Sequence, residues 1–163
     1  MKPRRPFRLR SFDYMGPHRY FLTLCTFGRH RPFEQPQRVA MVREQFLRTA
    51  AEERFEILAY CFMPDHVHLL VEGTAESADL QRFVKVAKQR SGFLHRRHYG
   101  QFLWQEGYHD RVLRNDEQTI DVVRYIISNP VREGLVKSVA DYPSSGSERV
   151  PMEALVEDVQ TRA

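Results

Sequence analysis

The stretch YCFMPDHVHLLVEG, residues 60–73, decides the fold of this chain. Apolar and β-branched residues lie on both sides of Pro64-Asp65, a pair typical of tight turns, so the stretch predicts a hairpin of two antiparallel strands. Side chains two apart on a strand share one face, which places His66 and His68 side by side, about 7 Å apart along the chain. Two imidazoles on one face of an apolar strand indicate a site rather than a core alone.

Strands and helices alternate on either side of this hairpin. Aromatic and β-branched runs predict strands, and apolar residues at helical spacing predict helices. The βαββαβ order, followed by one extra helix, predicts an α+β, ferredoxin-like fold: an antiparallel sheet with helices on one face and the other face open to a ligand. The predicted elements are a strand at 18–27, a helix at 36–55, hairpin strands at 56–63 and 66–72, a helix at 77–100, a strand at 108–114 and a helix at 116–130 that ends at Asn129-Pro130.

Length and composition indicate a single globular domain. The chain has 163 residues, of which 42% are hydrophobic and 28% charged, and no apolar run approaches the roughly 20 residues of a membrane span. Its two cysteines, in no metal-binding spacing, indicate a reduced, cytoplasmic protein. We predict a basic N-terminal arm at 1–17, one domain at 18–142 and a tail at 143–163.

Positive charge is concentrated in two segments, and this asymmetry is more informative than the net charge of +4. The first ten residues hold five Lys or Arg and no acid, and residues 80–114 hold eight Lys or Arg against two acids. A basic arm and a basic helix are typical of a polyanionic partner, most simply nucleic acid. A disordered leader with a solvated helix face is the alternative interpretation.

The histidine pair and a second motif suggest a metal site. Two imidazoles at this spacing can share one divalent ion, although an isolated pair is more often two histidines satisfied by hydrogen bonds. In RYIISNPVREGLV (124–136), Tyr125 and Asn129 are four apart and share a helix face. A helix packed against the histidine strand would bring their hydroxyl and amide to the same metal. Taken singly, such a tyrosine more often packs at an interface, and such an asparagine more often ends a helix.

The two motifs together carry a family resemblance. YCFMPDHVHLL and RYIISNPVREGLV, in this order, resemble the single-tyrosine transposases of the HUH nuclease class, and more closely the REP-associated tyrosine transposases of bacteria. FDYMGPHRYFLTLCTFGR resembles the lead-in and first strand of that family, and FLWQEGYHDRVLR the stretch before its catalytic helix. The resemblance runs from about Arg8 to about Tyr142, which is nearly the whole predicted domain.

The resemblance implies a metal-dependent enzyme that acts on single-stranded DNA. It implies that His66 and His68 bind a catalytic Mg²⁺ or Mn²⁺ ion and that Tyr125 is the nucleophile. Asn129 matches the position that completes the metal site, where some relatives carry glutamine. The implied target is a hairpin formed by an imperfect palindrome, and the implied intermediate is a 5′-phosphotyrosine bond. Relatives act as monomers or as homodimers that exchange catalytic helices.

Basic and aromatic residues outside the motifs are candidates for DNA contacts. Basic side chains of the arm and of the second helix are suited to phosphates, and aromatic side chains after that helix are suited to stacking on unpaired bases. Core packing is the commoner role for each aromatic residue, and no role is assigned to His109. The basic candidates are Arg4, Arg5, Arg8, Arg10, Lys85, Lys88, Arg90, Arg96 and Arg97, and the aromatic candidates are Phe102, Trp104 and Tyr108.

Two other classes of function stay open on the residues alone. The first is a non-catalytic nucleic-acid-binding module, because the same βαββαβ order serves RNA recognition, although the aromatic signature of such modules is not evident here. The second is a hydrolase in which His66 and His68 hold zinc and activate water, with Asp65 or Glu72 as the adjacent carboxylate. Neither alternative forms a covalent bond to DNA.

Overall fold

The structure is a computed structural model that describes residues 12–147 and 151–161. Its described part forms one antiparallel sheet of five strands in the order β4-β1-β3-β2-β5, with helices on both sides. This is the mixed α+β architecture that the sequence predicts. The elements are β1 Arg19–Cys25, α1 Pro36–Glu52, β2 Phe55–Met63, β3 His66–Gly73, α2 Leu80–Tyr99, β4 His109–Leu113, α3 Asp116–Arg132, β5 Ser145–Gly146 and α4 Met152–Thr161.

The predicted hairpin forms the centre of the sheet. Met63 of β2 pairs with His66 of β3, so Pro64 and Asp65 are the two residues of the turn. On its other side β3 pairs with β1, which places His66 opposite Cys25. The central position of β3 explains its apolar composition, because both of its faces are covered by other parts of the chain.

One face of the sheet is packed by α1 and α2. Alternate residues of each strand point to this face, as the period of two in a strand requires. The helices contribute apolar residues spaced by three and four, which is the stripe that an amphipathic helix buries. The core on this side includes Tyr20, Leu22 and Leu24 of β1, Val67, Leu69 and Val71 of β3, Val39, Val42 and Phe46 of α1, and Phe83, Val84 and Ala87 of α2.

The opposite face is covered in part by α3. Val122, Ile126 and Ile127 of this helix pack with Leu70 of β3 and Cys61 of β2. The sequence predicts an open second face, and the structure differs because the apolar stripe of α3 needs a partner and this half of the sheet supplies one. The part of the face around His66 lies outside this cluster and lines a cleft.

Local sequence explains where α3 begins, but not where it ends. The Asn115 side chain accepts a hydrogen bond from the Gln118 N–H at 2.8 Å, which caps the first turn. The predicted end at Asn129-Pro130 is two residues short, since the helix continues through Pro130 to Arg132. Proline removes one backbone donor, and this loss falls in the last turn, where few further bonds depend on it.

The predicted tail holds regular structure of its own. Ser145 and Gly146 form β5 on the edge of β2, and α4 contacts α3. An ion pair of 2.6 Å joins Arg124 of α3 to Asp158 of α4. Among the described helices, none combines the length and the apolar character needed to cross a membrane.

Candidate active site

The two histidines of β3 face the side of the sheet that α3 covers. Their ring centroids are 4.7 Å apart and the rings are nearly perpendicular, at 79°. Across the sheet, His68 lies beside Thr23 of β1, and His66 beside Cys25. The spacing of two along a strand therefore brings the rings together as the sequence predicts.

Each imidazole is held through its Nδ1 atom. The Nδ1 atom of His66 donates to Asp65 Oδ1 at 2.8 Å, because an ionised carboxylate can only accept. The Nδ1 atom of His68 lies 3.0 Å from Thr23 Oγ1. These bonds leave Nε2 of each ring as the nitrogen available to a metal ion. In proteins, most histidines that bind a metal through one ring nitrogen are oriented by a hydrogen bond at the other.

Burial keeps His68 neutral. Its side chain is only 6% exposed. The sequence predicts an open face of the sheet here, and this prediction is wrong at His68. Burial, followed by the charges of His66 and Arg132, lowers the pKa of His68 to about 3. At neutral pH the ring carries a lone pair and no charge, which is the form that binds a metal.

Asp65 stays ionised although it is partly buried. Burial alone would raise the pKa of this carboxyl, but the hydrogen bond from His66 and the charge of Arg29 outweigh burial and lower the pKa. The Arg29 guanidinium lies 3.1 Å from Asp65 Oδ2 and donates to Cys25 Sγ at 2.9 Å. A charged Asp65 keeps the His66 proton on Nδ1.

The α3 helix brings Tyr125 against the histidine strand. Its ring contacts His68 edge to face, with centroids 5.9 Å apart, and also contacts Phe21 at 5.8 Å. The Arg132 guanidinium lies 4.0 Å above the Tyr125 ring. Although 46% of Tyr125 is exposed, its ring is thus fixed from several sides.

Asn129 lies one helical turn after Tyr125 and is buried. Its Oδ1 atom accepts a hydrogen bond of 3.3 Å from Arg132. Asn129, Tyr125 and the two histidines line one cleft with a volume of about 580 Å³. Within residues 12–147 and 151–161, no group of three His, Cys, Asp or Glu side chains is placed to hold a metal ion. A metal held by His66 and His68 therefore needs an oxygen of another kind, and the Asn129 amide lines the same cleft.

The basic candidates of α2 divide into two groups. Lys88 donates to the carbonyl oxygens of Gln105 and Gly107, at 2.8 and 2.7 Å, and Arg90 pairs with Glu52 at 2.5 Å. These two side chains are engaged in contacts within the chain. Lys85, Arg96 and Arg97 are exposed, while Arg4, Arg5, Arg8 and Arg10 lie outside the described residues.

Three cleft residues were missed by sequence reasoning. Cys25, Arg29 and His109 line the cleft. His109 pairs with Thr23 on the far side of β1, so it shares a row with His68 across three strands. No local motif marks these residues, because the strand order alone brings them to the histidines.

The carboxylate of the alternative hydrolase does not reach the histidines. Glu72 shares their face of β3, but it pairs with Arg19 at 2.6 Å. It lies four residues beyond His68, which is about 13 Å along a strand. Asp65, the other carboxylate of this alternative, is bonded to the Nδ1 atom of His66.

The chain thus combines an antiparallel ferredoxin-like sheet, a histidine pair on its central strand and a facing helix that carries tyrosine. The family model of IS200-like transposases matches residues 16–129. The chain belongs to this family and is a tyrosine transposase.

Relatives of this chain carry the same description. A protein of Haemophilus influenzae assigned as a REP-associated tyrosine transposase is 27% identical over 150 residues, which are 84% of this chain and 84% of the relative. The REP-associated tyrosine transposase of Escherichia coli K12 is 32% identical over 108 residues, 64% of this chain and 62% of the relative. The solved structure of a REP-associated tyrosine transposase bound to a REP hairpin superposes with a TM-score of 0.73 at 25% identity, covering 85% of this chain and 81% of that one.

Proposed function

We propose that this transposase cleaves and rejoins single-stranded DNA at hairpins formed by imperfect palindromes. Tyr125 is the nucleophile, and His66, His68 and Asn129 hold a divalent metal ion. The observation that carries the proposal is the contact between the Tyr125 and His68 rings, 5.9 Å apart in one cleft. The relative bound to a REP hairpin supports the choice of DNA.

The residues of the cleft fit a divalent ion. Two imidazoles with their Nδ1 atoms already bonded present Nε2, and the Asn129 amide oxygen adds a hard donor. Nitrogen with oxygen donors is compatible with Mn²⁺ as well as Mg²⁺. When bound, such an ion acts as a Lewis acid toward the scissile phosphate.

The chemistry is a transesterification in which the number of phosphate ester bonds does not change. The Tyr125 oxygen bonds to phosphorus and gives up its proton, and the bond from phosphorus to the 3′-oxygen breaks. The 3′-oxygen of the upstream strand leaves and takes up a proton, while the strand on the 3′ side of the break stays attached to Tyr125 through its 5′-phosphate, as a phosphotyrosine. Attack by another 3′-hydroxyl reverses these changes, so rejoining needs no ATP.

Exposed basic side chains supply the contacts to the DNA backbone. Lys85, Arg96 and Arg97 are exposed on α2, and phosphate contacts position DNA without reading its sequence. The arm residues Arg4, Arg5, Arg8 and Arg10 belong to the same proposal. Lys88 and Arg90 contribute indirectly, since their bonds hold the shape of this surface.

The proposal places Tyr125 of α3 against the histidines of the same chain, and the contacts of Tyr125 with His68 and Phe21 support this arrangement. The proposal accommodates a monomer and a homodimer, and it includes a cytoplasmic location.

A covalent capture experiment tests the proposal. A hairpin-bearing oligonucleotide is labelled on the 3′ side of its cleavage site and incubated with Mn²⁺ and protein, and label that survives denaturation on the protein is measured. The wild type should capture the label, and Tyr125→Phe should not, although it binds the DNA. Tyr99→Phe is the matched control. Tyr99 lies at the end of α2 and stacks on Arg38 of α1, on the side of the sheet opposite the cleft, so this variant should capture the label as the wild type does. Capture by Tyr125→Phe, or of a label on the 5′ side alone, would contradict the mechanism.

A further inference from the structure

Two phenylalanine rings form an exposed pair beside the cleft. Phe27 is 50% and Phe102 59% exposed, and their ring centroids are 5.5 Å apart at an angle of 51°. Trp104 and Tyr108, the other aromatic residues of this stretch considered from the sequence, are largely buried. Two adjacent exposed rings offer flat apolar faces on which a partner can stack.

Positive charge accompanies these rings. The Arg96 guanidinium lies 4.4 Å from the centroid of the Phe102 ring, and Arg97 is exposed next to it. We call Phe27, Phe102 and Arg96 the aromatic patch. Rings with a neighbouring guanidinium suit the flat faces and the charged backbone of unpaired nucleotides.

The backbone ties the aromatic patch to the cleft. The Thr26 N–H donates to the Asp65 carbonyl at 3.0 Å, and the Phe27 N–H donates to the Leu103 carbonyl at 2.9 Å. The backbone at Thr26 and Phe27 therefore joins Asp65, which precedes His66, to Leu103, which follows Phe102. The patch begins two residues after Cys25, which lies opposite His66 in the sheet.

The short turn at Phe27–Arg29 directs the side chains of Phe27 and Arg29 to different surfaces. Gly28 and Arg29 have φ values of 60° and 55°, in the left-handed region, and such a conformation is uncommon for a residue with a side chain. The Arg29 side chain then reaches Asp65 within the cleft, while Phe27 stays against Phe102. The turn links a cleft residue to the aromatic patch over two positions of the chain.

We propose that the aromatic patch stacks an unpaired base of the single-stranded DNA whose backbone runs through the cleft, with Arg96 beside the adjoining phosphate. This inference rests on the proposed function. Duplex DNA does not fit, because the faces of paired bases are already stacked. Nucleic acid is favoured over a protein partner because Arg96 and Arg97, both exposed, add positive charge beside the rings, and this charge complements a phosphate backbone.

Binding measurements with matched variants test the patch. Phe27→Leu and Phe102→Leu keep apolar volume but remove the ring face, and each should weaken binding of a hairpin with a single-stranded flank about tenfold. Phe93→Leu is the control, because Phe93 is 65% exposed on α2 and has no ring contact in the described part of the chain. Its affinity for the same DNA should equal that of the wild type.

An abasic scan of the flank identifies the stacked base. At one position, removing the base should weaken binding to the wild type but leave the affinity of Phe102→Leu unchanged, since both changes delete the same contact. Equal losses at every position, or no loss in either patch variant with thermal melting unchanged, would overturn the proposal. A patch variant that dissociates a dimer without changing DNA affinity would instead assign the surface to a second copy of the chain. Covalent capture by the wild type tests the proposed function separately, so the two failures are distinguishable.

Discussion

The two faces of the sheet are built from the same strands but have different tasks. In β3, Val67, Leu69 and Val71 point to the α1/α2 side, and their neighbours His66 and His68 point to the α3 side. Two helices seal the first face with apolar residues. One helix covers the second face only in part and leaves a cleft.

The comparison shows that, along β3, residues that stabilise the fold alternate with residues that form the cleft, because successive side chains of a strand point to opposite faces. Each buried aliphatic side chain contributes about 1.5–3 kcal/mol on the sealed face, which holds the strands in register. That register is what places His66 opposite Cys25 and His68 opposite Thr23. The sealed face thus positions the site without touching it.

The largest expected effect is loss of cleavage in His66→Ala. A metal ligand contributes several kcal/mol to transition-state stabilisation, so the single-turnover cleavage rate should fall about 10³-fold or more. The free energy of unfolding should change by only about 1 kcal/mol, since the main bond lost is the one to Asp65. His98→Ala, an exposed histidine on α2, should cleave at the wild-type rate. A normal rate in His66→Ala would place the chemistry on other residues.

Leu69→Ala is the counterpart on the sealed face. Leu69 is 1% exposed, and truncation should lower the free energy of unfolding in urea by about 3 kcal/mol. Cleavage by the protein that remains folded should stay within a few-fold of normal, because Leu69 points away from His68. Ile120→Ala, at an exposed position of α3, should change stability by less than about 0.5 kcal/mol. A catalytic defect in Leu69→Ala larger than its unfolded fraction explains would show that the two faces are coupled.

Salt dependence tests whether DNA extends from the cleft to α2. Affinity falls as salt rises, and each phosphate contact to single-stranded DNA makes the slope of log affinity against log salt steeper by about 0.7. The double variant Arg96→Ala/Arg97→Ala should therefore make this slope shallower by about 1.4. Arg48→Ala, on α1 and paired with Glu52, should leave the slope unchanged. An unchanged slope in the double variant would move the DNA path to another surface, most simply one served by the N-terminal arginines.

The smallest effect concerns a titratable group on the sealed side. Burial and the charge of Arg38 lower the pKa of His95 more than its bond to the Gln101 carbonyl raises it. The unfolded chain therefore binds this proton more tightly, and the free energy of unfolding should fall as the pH drops below about 6.5. In His95→Asn, the slope of unfolding free energy against pH should be shallower in this range. An equal slope in both proteins would show that other groups cause the acid sensitivity.

Local patterns carried much of the prediction. The Pro64-Asp65 turn predicts the hairpin, because a tight turn and alternating side chains act between neighbours in the chain. The spacing of Tyr125 and Asn129 predicts one helix face for the same reason. The predicted end of α3 at Asn129-Pro130 was wrong, since the helix continues through Pro130 to Arg132. A helix can continue through a proline that falls in its last turn, and the Asn-Pro dipeptide alone does not reveal that position.

The sequence by itself determined the order of strands and helices, the histidine pair and the family, since these depend on residues close together in the chain. Only the tertiary structure decided which residues meet. In the tertiary structure His68 is buried, and His109 and Arg29 line the cleft. Lys88 donates to the Gln105 carbonyl, and Phe27 is exposed beside Phe102. The physical reason is that strand order and helix docking bring together residues far apart in the chain, and the spacing of such residues in the sequence contains no signal of their contact.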